Sequence, residues 1–149
     1  MIEIFGCEGE LDQLKNDLPI DFAYINHGVL VREGVAKILA RSTFFVDLSD
    51  YQAFGRTGLE AMACGCIPML PQQGGANEYA VHKRNSLIVD TSDWISAAEM
   101  LLSVLEHKEM IASMKNEALY AASKYSVGRA SASLLKLLHH QYLRIQNRD

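Results

Sequence analysis

Between Leu48 and Pro68 the chain reads Leu-Ser-Asp-Tyr-Gln-Ala-Phe-Gly-Arg-Thr-Gly-Leu-Glu-Ala-Met-Ala-Cys-Gly-Cys-Ile-Pro. Read physically, this is a strand exit, a polar loop, a glycine and then a helix. The start of a helix offers unpaired backbone N–H groups and the positive end of the dipole, and both suit a phosphate. Gly55 allows the turn and lets a ligand approach the backbone. Arg56 and Thr57 add side-chain donors at the same end. Glu60 lies on the first turns, and helical side chains lean toward the N-terminus, so its carboxylate points back at the same place. Beside a phosphate a carboxylate needs another task. Accepting hydrogen bonds from the vicinal hydroxyls of a ribose is one, as in dinucleotide folds. The alternative is a surface carboxylate that complements the helix dipole.

The elements that must position these groups alternate. Short apolar runs predict strands at Ile2–Phe5, Asp21–Ile25, Thr43–Asp47, Cys66–Leu70 and Ser86–Val89. Pro68 marks the fourth of these as short or irregular. Helical spacing predicts helices over Glu10–Leu18, Leu30–Arg41, Thr57–Cys64, Trp94–Glu106, Lys108–Lys124 and Val127–Gln146. Thr91-Ser92-Asp93 is read as the cap of the Trp94 helix. A Gly-rich loop at Gln72–Ala76 leads to a short helix at Asn77–Val81. This order predicts an α/β domain, a Rossmann-like parallel sheet flanked by helices. Ligands then sit beyond the carboxyl ends of the strands, near Gly6–Glu10, Asn26–Leu30, Leu48–Gly55 and Pro71–Ala76. The apolar stripe of the Val127 helix is expected to pack on the sheet or, if left bare, to offer a patch for self-association.

A chain of 149 residues suits one domain, and 49% hydrophobic with 21% charged residues is a globular balance. A net charge of -4 argues against nucleic acid as a partner. Cys7, Cys64 and Cys66 form no regular framework, and Cys64-Gly-Cys66 is too tight for a zinc site, so reduced thiols and a cytoplasmic location are expected. No apolar run approaches the roughly 18 residues of a membrane span. Because Ile2 begins a strand pattern at once, the chain is expected to start inside a longer protein. Gly6-Cys-Glu-Gly9 lacks the third glycine of a dinucleotide fingerprint, and its acids would repel phosphate. His27 is read as a turn residue, and His139-His140 and Lys83-Arg84 as surface positions. Glu78 is left open between capping its own short helix and touching a ligand.

Gln52 to Pro68 resembles the signature of the large family-four group of retaining glycosyltransferases with the GT-B fold. The family pattern is an acidic residue, Gly-Phe-Gly, a few residues, then Leu-Glu-Ala-Met-Ala-Cys-Gly and a proline. Gly74-Gly75-Ala-Asn-Glu78, Asn85-Ser-Leu-Ile-Val-Asp90 and Ile25-Asn-His-Gly28-Val29 are similar to further family segments. The resemblance covers roughly residues 2 to 145 and implies the C-terminal, donor-binding half of such an enzyme. It implies that Glu60 holds ribose hydroxyls and that Gln52 contacts the transferred sugar, the two positions forming the catalytic pair. It places Phe54, Gly55, Arg56 and Thr57 on the diphosphate and sugar, and Gly28, Val29 and Leu30 on the base.

The chain departs from the pattern at Gln52, where the family has an acid. An amide can donate and accept hydrogen bonds but supplies no negative charge to a developing oxocarbenium ion. A similar Ser-Asp-Tyr-x-Ala-Phe-Gly-Arg-Thr variant occurs among rhamnan-building transferases. The basic pair with which the family clamps the diphosphate is expected upstream of this chain, and the acceptor-binding N-terminal domain, through which such enzymes touch the membrane, is expected outside it. The resemblance implies a nucleoside diphosphate sugar as donor, with no cofactor and no metal: Asp47 and Asp50 form no Asp-x-Asp cluster. The expected role is transfer of a sugar with retention in cell-surface polysaccharide or glycan synthesis, at the inner face of the membrane. The alternatives are a non-catalytic nucleotide- or phosphosugar-binding module, which Gln52 favours, and a sugar-nucleotide epimerase on the same scaffold.

Overall fold

The computed structural model describes residues 1–8 and 22–146. The helix expected at 10–18 and the start of the second expected strand lie outside the described residues. The elements are β1 (Ile2–Ile4), β2 (Tyr24–Asn26), α1 (Arg32–Arg41), β3 (Phe44–Val46), α2 (Arg56–Ala63) and β4 (Ile67–Pro71). A single 3-10 turn (Gly75–Glu78), β5 (Leu87–Val89), α3 (Trp94–Leu105), α4 (Lys108–Ala122) and α5 (Val127–Gln146) complete them. All strand pairs are parallel, as the alternation predicted. They form two ladders, β1-β2 and β3-β4-β5. Phe5, leaving β1, stacks on Phe45 of β3 at 6.2 Å and joins the two.

The expectation that Pro68 makes its strand irregular is corrected. β4 is the central strand of the larger ladder, and all five of its residues are buried. Ile67 N–H donates to Thr43 and the Met69 carbonyl accepts from Asp47, so residues 67 and 69 serve β3. Pro68 therefore faces the β5 side, where pairing starts only at Met69. Its missing N–H interrupts nothing.

Alternate β4 side chains enter opposite layers. Ile67 and Met69 join Leu87, Val89, Ala97, Val104 and Met114 in one core cluster. Leu70 joins Met62, Ala76, Tyr79, Ala80 and Ala118 in another. Gly58 is what seats α2 on this second layer. A Cβ there would lie 2.8 Å from the Tyr79 hydroxyl and 2.9 Å from Leu70 Cδ2. Asp93 caps α3 as expected, its Oδ1 accepting the Ser96 N–H at 3.0 Å.

Two further expectations are corrected. The helix placed at Asn77–Val81 is the 3-10 turn two residues earlier, because Asn85 holds the chain at 79–81 in another conformation. Its Nδ2 donates to the Tyr79 carbonyl and its Oδ1 accepts the Val81 N–H. The last helix does not pack its stripe on the sheet: every residue of α5 is exposed, Leu135 and Ile145 by about two thirds.

Candidate functional site

A cleft of about 350 Å³ opens beyond the carboxyl ends of β1, β2 and β3. It is lined by Phe5 after β1, by Leu30, Arg32 and Val35 after β2, and by Arg56, Thr57 and Glu60 on α2. Of the residues singled out in the sequence, the cleft brings together Leu30, Arg56, Thr57 and Glu60. Arg32 was not predicted. It is the first residue of α1, and its Nη2 lies 3.5 Å from Glu60 Oε1. Arg56 Nε lies 3.7 Å from the same oxygen. These separations exceed hydrogen-bond length, and both arginine side chains are more than four-fifths exposed. Two loosely held guanidiniums over one carboxylate leave a net positive charge at the cleft and leave both free to swing onto a ligand.

The start of α2 faces the same space. Gly55 precedes it in the left-handed region, with φ 71°, and no side chain caps it. The first bond into the helix is Leu59 N–H to the Gly55 carbonyl at 3.3 Å. Among the described residues nothing accepts from the N–H groups of Arg56, Thr57 or Gly58. They are open donors for an anion. Gly55 is held from below by Tyr79, whose hydroxyl donates to the Gly55 carbonyl. Burial pushes the Tyr79 phenol up to about 12, helped by the nearby Asp47 charge, so it stays a donor at neutral pH. A Cβ on Gly55 would lie 2.7 Å from that hydroxyl.

Phe54 turns its ring to protein. It packs against Tyr79 at 5.4 Å and Tyr125 at 6.2 Å. Tyr125 in turn donates to the Glu78 carbonyl at 2.8 Å. The aromatic cluster locks the loop before α2 to the chain between α4 and α5. Sequence alone assigns neither tyrosine a role at the site.

Gln52 is not among the residues lining the cleft. Its side chain lies beside Gly55, its Cβ 3.7 Å from where a Cβ of Gly55 would stand. Its Nε2 donates to Asp47 Oδ2 at 2.9 Å and to Ser49 Oγ at 2.8 Å. Its backbone is clipped to the Gly-rich loop through Gly75 N–H to the Gln52 carbonyl, 2.9 Å.

The turn after β2 is built by Gly28, whose φ is 63° and whose N–H donates to Asn26 Oδ1 at 3.0 Å. Gly6 N–H reaches the Gly28 carbonyl at 2.8 Å. Val29 is exposed at the tip and Leu30 enters the cleft. His27 is occupied structurally: its Nε2 meets Glu3 Oε2 at 2.7 Å, and Arg41 meets the same carboxylate. Glu78 lines a second cleft, with Arg84, Glu117 and Lys124. Cys66 is buried, which pushes its thiol up to about 12, and Cys64 is half-buried.

Parallel ladders flanked by helices, with an open helix start and a carboxylate gathered beyond the strand ends, give this chain the α/β fold of the GT-B glycosyltransferases it resembles. The chain belongs to the family described as glycosyl transferases group 1, which matches residues 5–119. It is similar to the uncharacterized glycosyltransferase YqgM of Bacillus subtilis, 32% identical over 80 residues, 54% of this chain and 22% of that protein. It is also similar to the N-acetyl-alpha-D-glucosaminyl L-malate synthase of Bacillus anthracis, 30% identical over 87 residues, 58% of this chain and 23% of that protein. In fold it resembles Anabaena HepE, solved in complex with UDP-glucose, with a TM-score of 0.78 at 21% identity over 93% of this chain and 40% of that one. The sucrose-phosphate synthase of Thermosynechococcus elongatus gives a TM-score of 0.80 at 18% identity, over 96% of this chain and 38% of that one. The chain therefore spans under half the length of these relatives.

Proposed function

We propose that this chain is the donor-binding half of a retaining glycosyltransferase and that its cleft takes a nucleoside diphosphate sugar. The observation that carries the reading is the convergence of Arg32, Arg56, Thr57, Glu60 and the open N–H groups of α2 on one space. The helix start and the guanidiniums take the diphosphate. Glu60 turns from its loose arginine contacts to accept the two ribose hydroxyls. Leu30 and the Gly28–Val29 turn cover the base, and Gln52 meets the transferred sugar. In the reaction, positive charge at α2 stabilises the departing diphosphate. Because protein cations supply that charge, donor binding is proposed to need no metal, and chelation with EDTA should leave it intact. HepE, whose structures hold UDP and UDP-glucose, supports a donor of this class.

With it we propose the finer assignments that the motif resemblance implies: transfer with retention, work in cell-surface glycan synthesis, and a rhamnosyltransferase-like subgroup. A cytoplasmic site at the inner face of the membrane is proposed with them, contact being made through an acceptor-binding domain outside this chain. No helix among the described residues is long and apolar enough to cross a membrane. The chain alone is proposed to bind donor without transferring it. Gln52, in place of an acid, favours one second reading, a binding module without catalysis. Sugar transfer by the whole protein would discard that reading.

The test is a thermal-shift panel with UDP, dTDP, GDP and ADP, repeated on Glu60→Ala. A ligand at about 100 times its dissociation constant adds about 2.7 kcal/mol. One nucleotide should raise the melting temperature of the native chain and not of the variant. A native chain indifferent to all four would sink the reading.

A further inference from the structure

Gln52 has little freedom in its main chain. Its carbonyl takes the Gly75 N–H at 2.9 Å, and its own N–H reaches the Gln73 carbonyl at 3.4 Å. Gly74, with φ 119°, passes so close that a Cβ there would lie 1.9 Å from the Gln52 carbonyl oxygen. What is left to choose is which end of the side-chain amide faces which way. Asp47, at the end of β3, decides it. Its Oδ1 is already occupied by the Ser49 N–H at 3.1 Å, and its Oδ2 accepts from Gln52 Nε2 at 2.9 Å. An ionised carboxylate only accepts, so the amide nitrogen must face it. Ser49 Oγ accepts from the same nitrogen at 2.8 Å. No hydrogen bond among the described residues uses Gln52 Oε1.

We propose that Asp47 is a positioning residue that turns the Gln52 amide nitrogen inward, so that Oε1 alone is presented to the donor as an acceptor for a hydroxyl of the transferred sugar. The proposal rests on the reading above, in which the cleft takes a nucleoside diphosphate sugar and Gln52, outside the cleft lining but beside Gly55, meets the transferred sugar. It also accounts for the amide where the family pattern has an acid. A carboxylate at position 52 would set two like charges against each other at hydrogen-bond distance, which disfavours joint ionisation. The pair Asp47–Gln52 offers the sugar an acceptor oxygen without a second charge. Its function is thus to select the sugar-bearing donor over the bare diphosphate.

The test compares Asp47→Asn, Gln52→Glu and the double variant. In Asp47→Asn, Oδ1 stays with the Ser49 N–H and an amide nitrogen now faces Gln52, which must flip and offer its own nitrogen to the sugar. The double variant restores a matched pair: the new amide at position 47 donates inward to the new carboxylate at position 52, whose second oxygen again faces the sugar. The readout is the affinity for UDP-glucose relative to UDP, or for GDP-mannose, dTDP-rhamnose or ADP-glucose relative to its diphosphate, whichever base the native chain binds. Asp47→Asn should lower that ratio about five- to tenfold, the worth of one hydrogen bond. The double variant should bring it back to within about twofold, a recovery that a merely structural role for Asp47 does not produce. Gln52→Glu alone should melt lower at pH 7 and recover at acid pH as one carboxyl takes a proton. An unchanged ratio in Asp47→Asn, or a double variant worse than it, overturns the proposal while leaving the cleft reading standing. A native chain that binds neither diphosphate nor sugar donor overturns both.

Discussion

The hydroxyl of Tyr79 donates to the carbonyl oxygen of Gly55, the residue on which α2 turns. Tyr79 is 4% exposed and shares a core cluster with Met62 and Leu70, so a fixed phenol under the glycine sets where the open end of α2 stands. Tyr79→Phe keeps the ring and removes the bond. It should destabilise the fold by about 1 kcal/mol, the net worth of a buried hydrogen bond. It should also lower nucleotide affinity, because the donors at Arg56 and Thr57 lose their fixed position. Tyr125→Phe, which removes a bond to Glu78 instead, should affect stability with less effect on affinity. Urea denaturation and nucleotide titration of both variants check this.

Arg32 separates a structural part from a ligand-binding one. Its contact with Glu60 is 3.5 Å long and solvent-exposed, and such pairs contribute about 0–1 kcal/mol. Arg32→Ala should therefore leave the melting temperature nearly unchanged. Nucleoside diphosphate affinity should fall roughly three- to tenfold, since charged hydrogen bonds to phosphate are about twice as strong as neutral ones. The loss should be smaller for a nucleoside monophosphate. Equal losses for the two would place Arg32 away from the second phosphate.

These residues also mark the limits of reading this chain from sequence. Gly55, Arg56, Thr57 and Glu60 were legible because all their geometry is local: a glycine, then the first turns of one helix. Arg32, Asp47 and Tyr79 were not, because each acts on that helix or its loop from another element. The parallel fold was legible from alternation, but the centrality of β4 was not. Pro68 carries a local signal for an edge, and only the offset between β4 and β5 cancels it. The α5 stripe shows the reverse limit: period predicts a face and does not say what covers it.

Acid should loosen the first ladder through Glu3. Hydrogen bonds from Arg41 first, then from His27, hold its carboxyl down at about 2, from an ordinary value of 4.5. A depressed folded-state pKa contributes stability that is complete above the unfolded value and is lost as pH falls through the folded one. The contribution is therefore present above about pH 4.5 and fades toward pH 2. Glu3→Gln should remove it, so that the variant melts lower than the native chain at pH 7 and the gap closes on acidification through that window. A gap that stays constant all the way down that window would show that the three side chains are not coupled.

Asn85 and Ser86 are adjacent buried polar residues with opposite expected outcomes. Asn85 is 4% exposed and satisfied at both ends, donating to the Tyr79 carbonyl and accepting from the Val81 N–H. Asn85→Asp keeps the acceptor but loses the donor and sets a carboxylate against a carbonyl. It should destabilise by about 1–3 kcal/mol, and the Tyr79 segment it anchors should loosen with it. Ser86 is fully buried, and its hydroxyl has no hydrogen-bond partner among the described residues. Ser86→Ala removes an unpaired polar group at nearly constant volume, so it should raise the melting temperature by roughly 2–4 °C for about 1 kcal/mol gained. Differential scanning calorimetry of the two variants reads both signs. A fall in Ser86→Ala as large as that in Asn85→Asp would show that the hydroxyl has a hydrogen-bond partner.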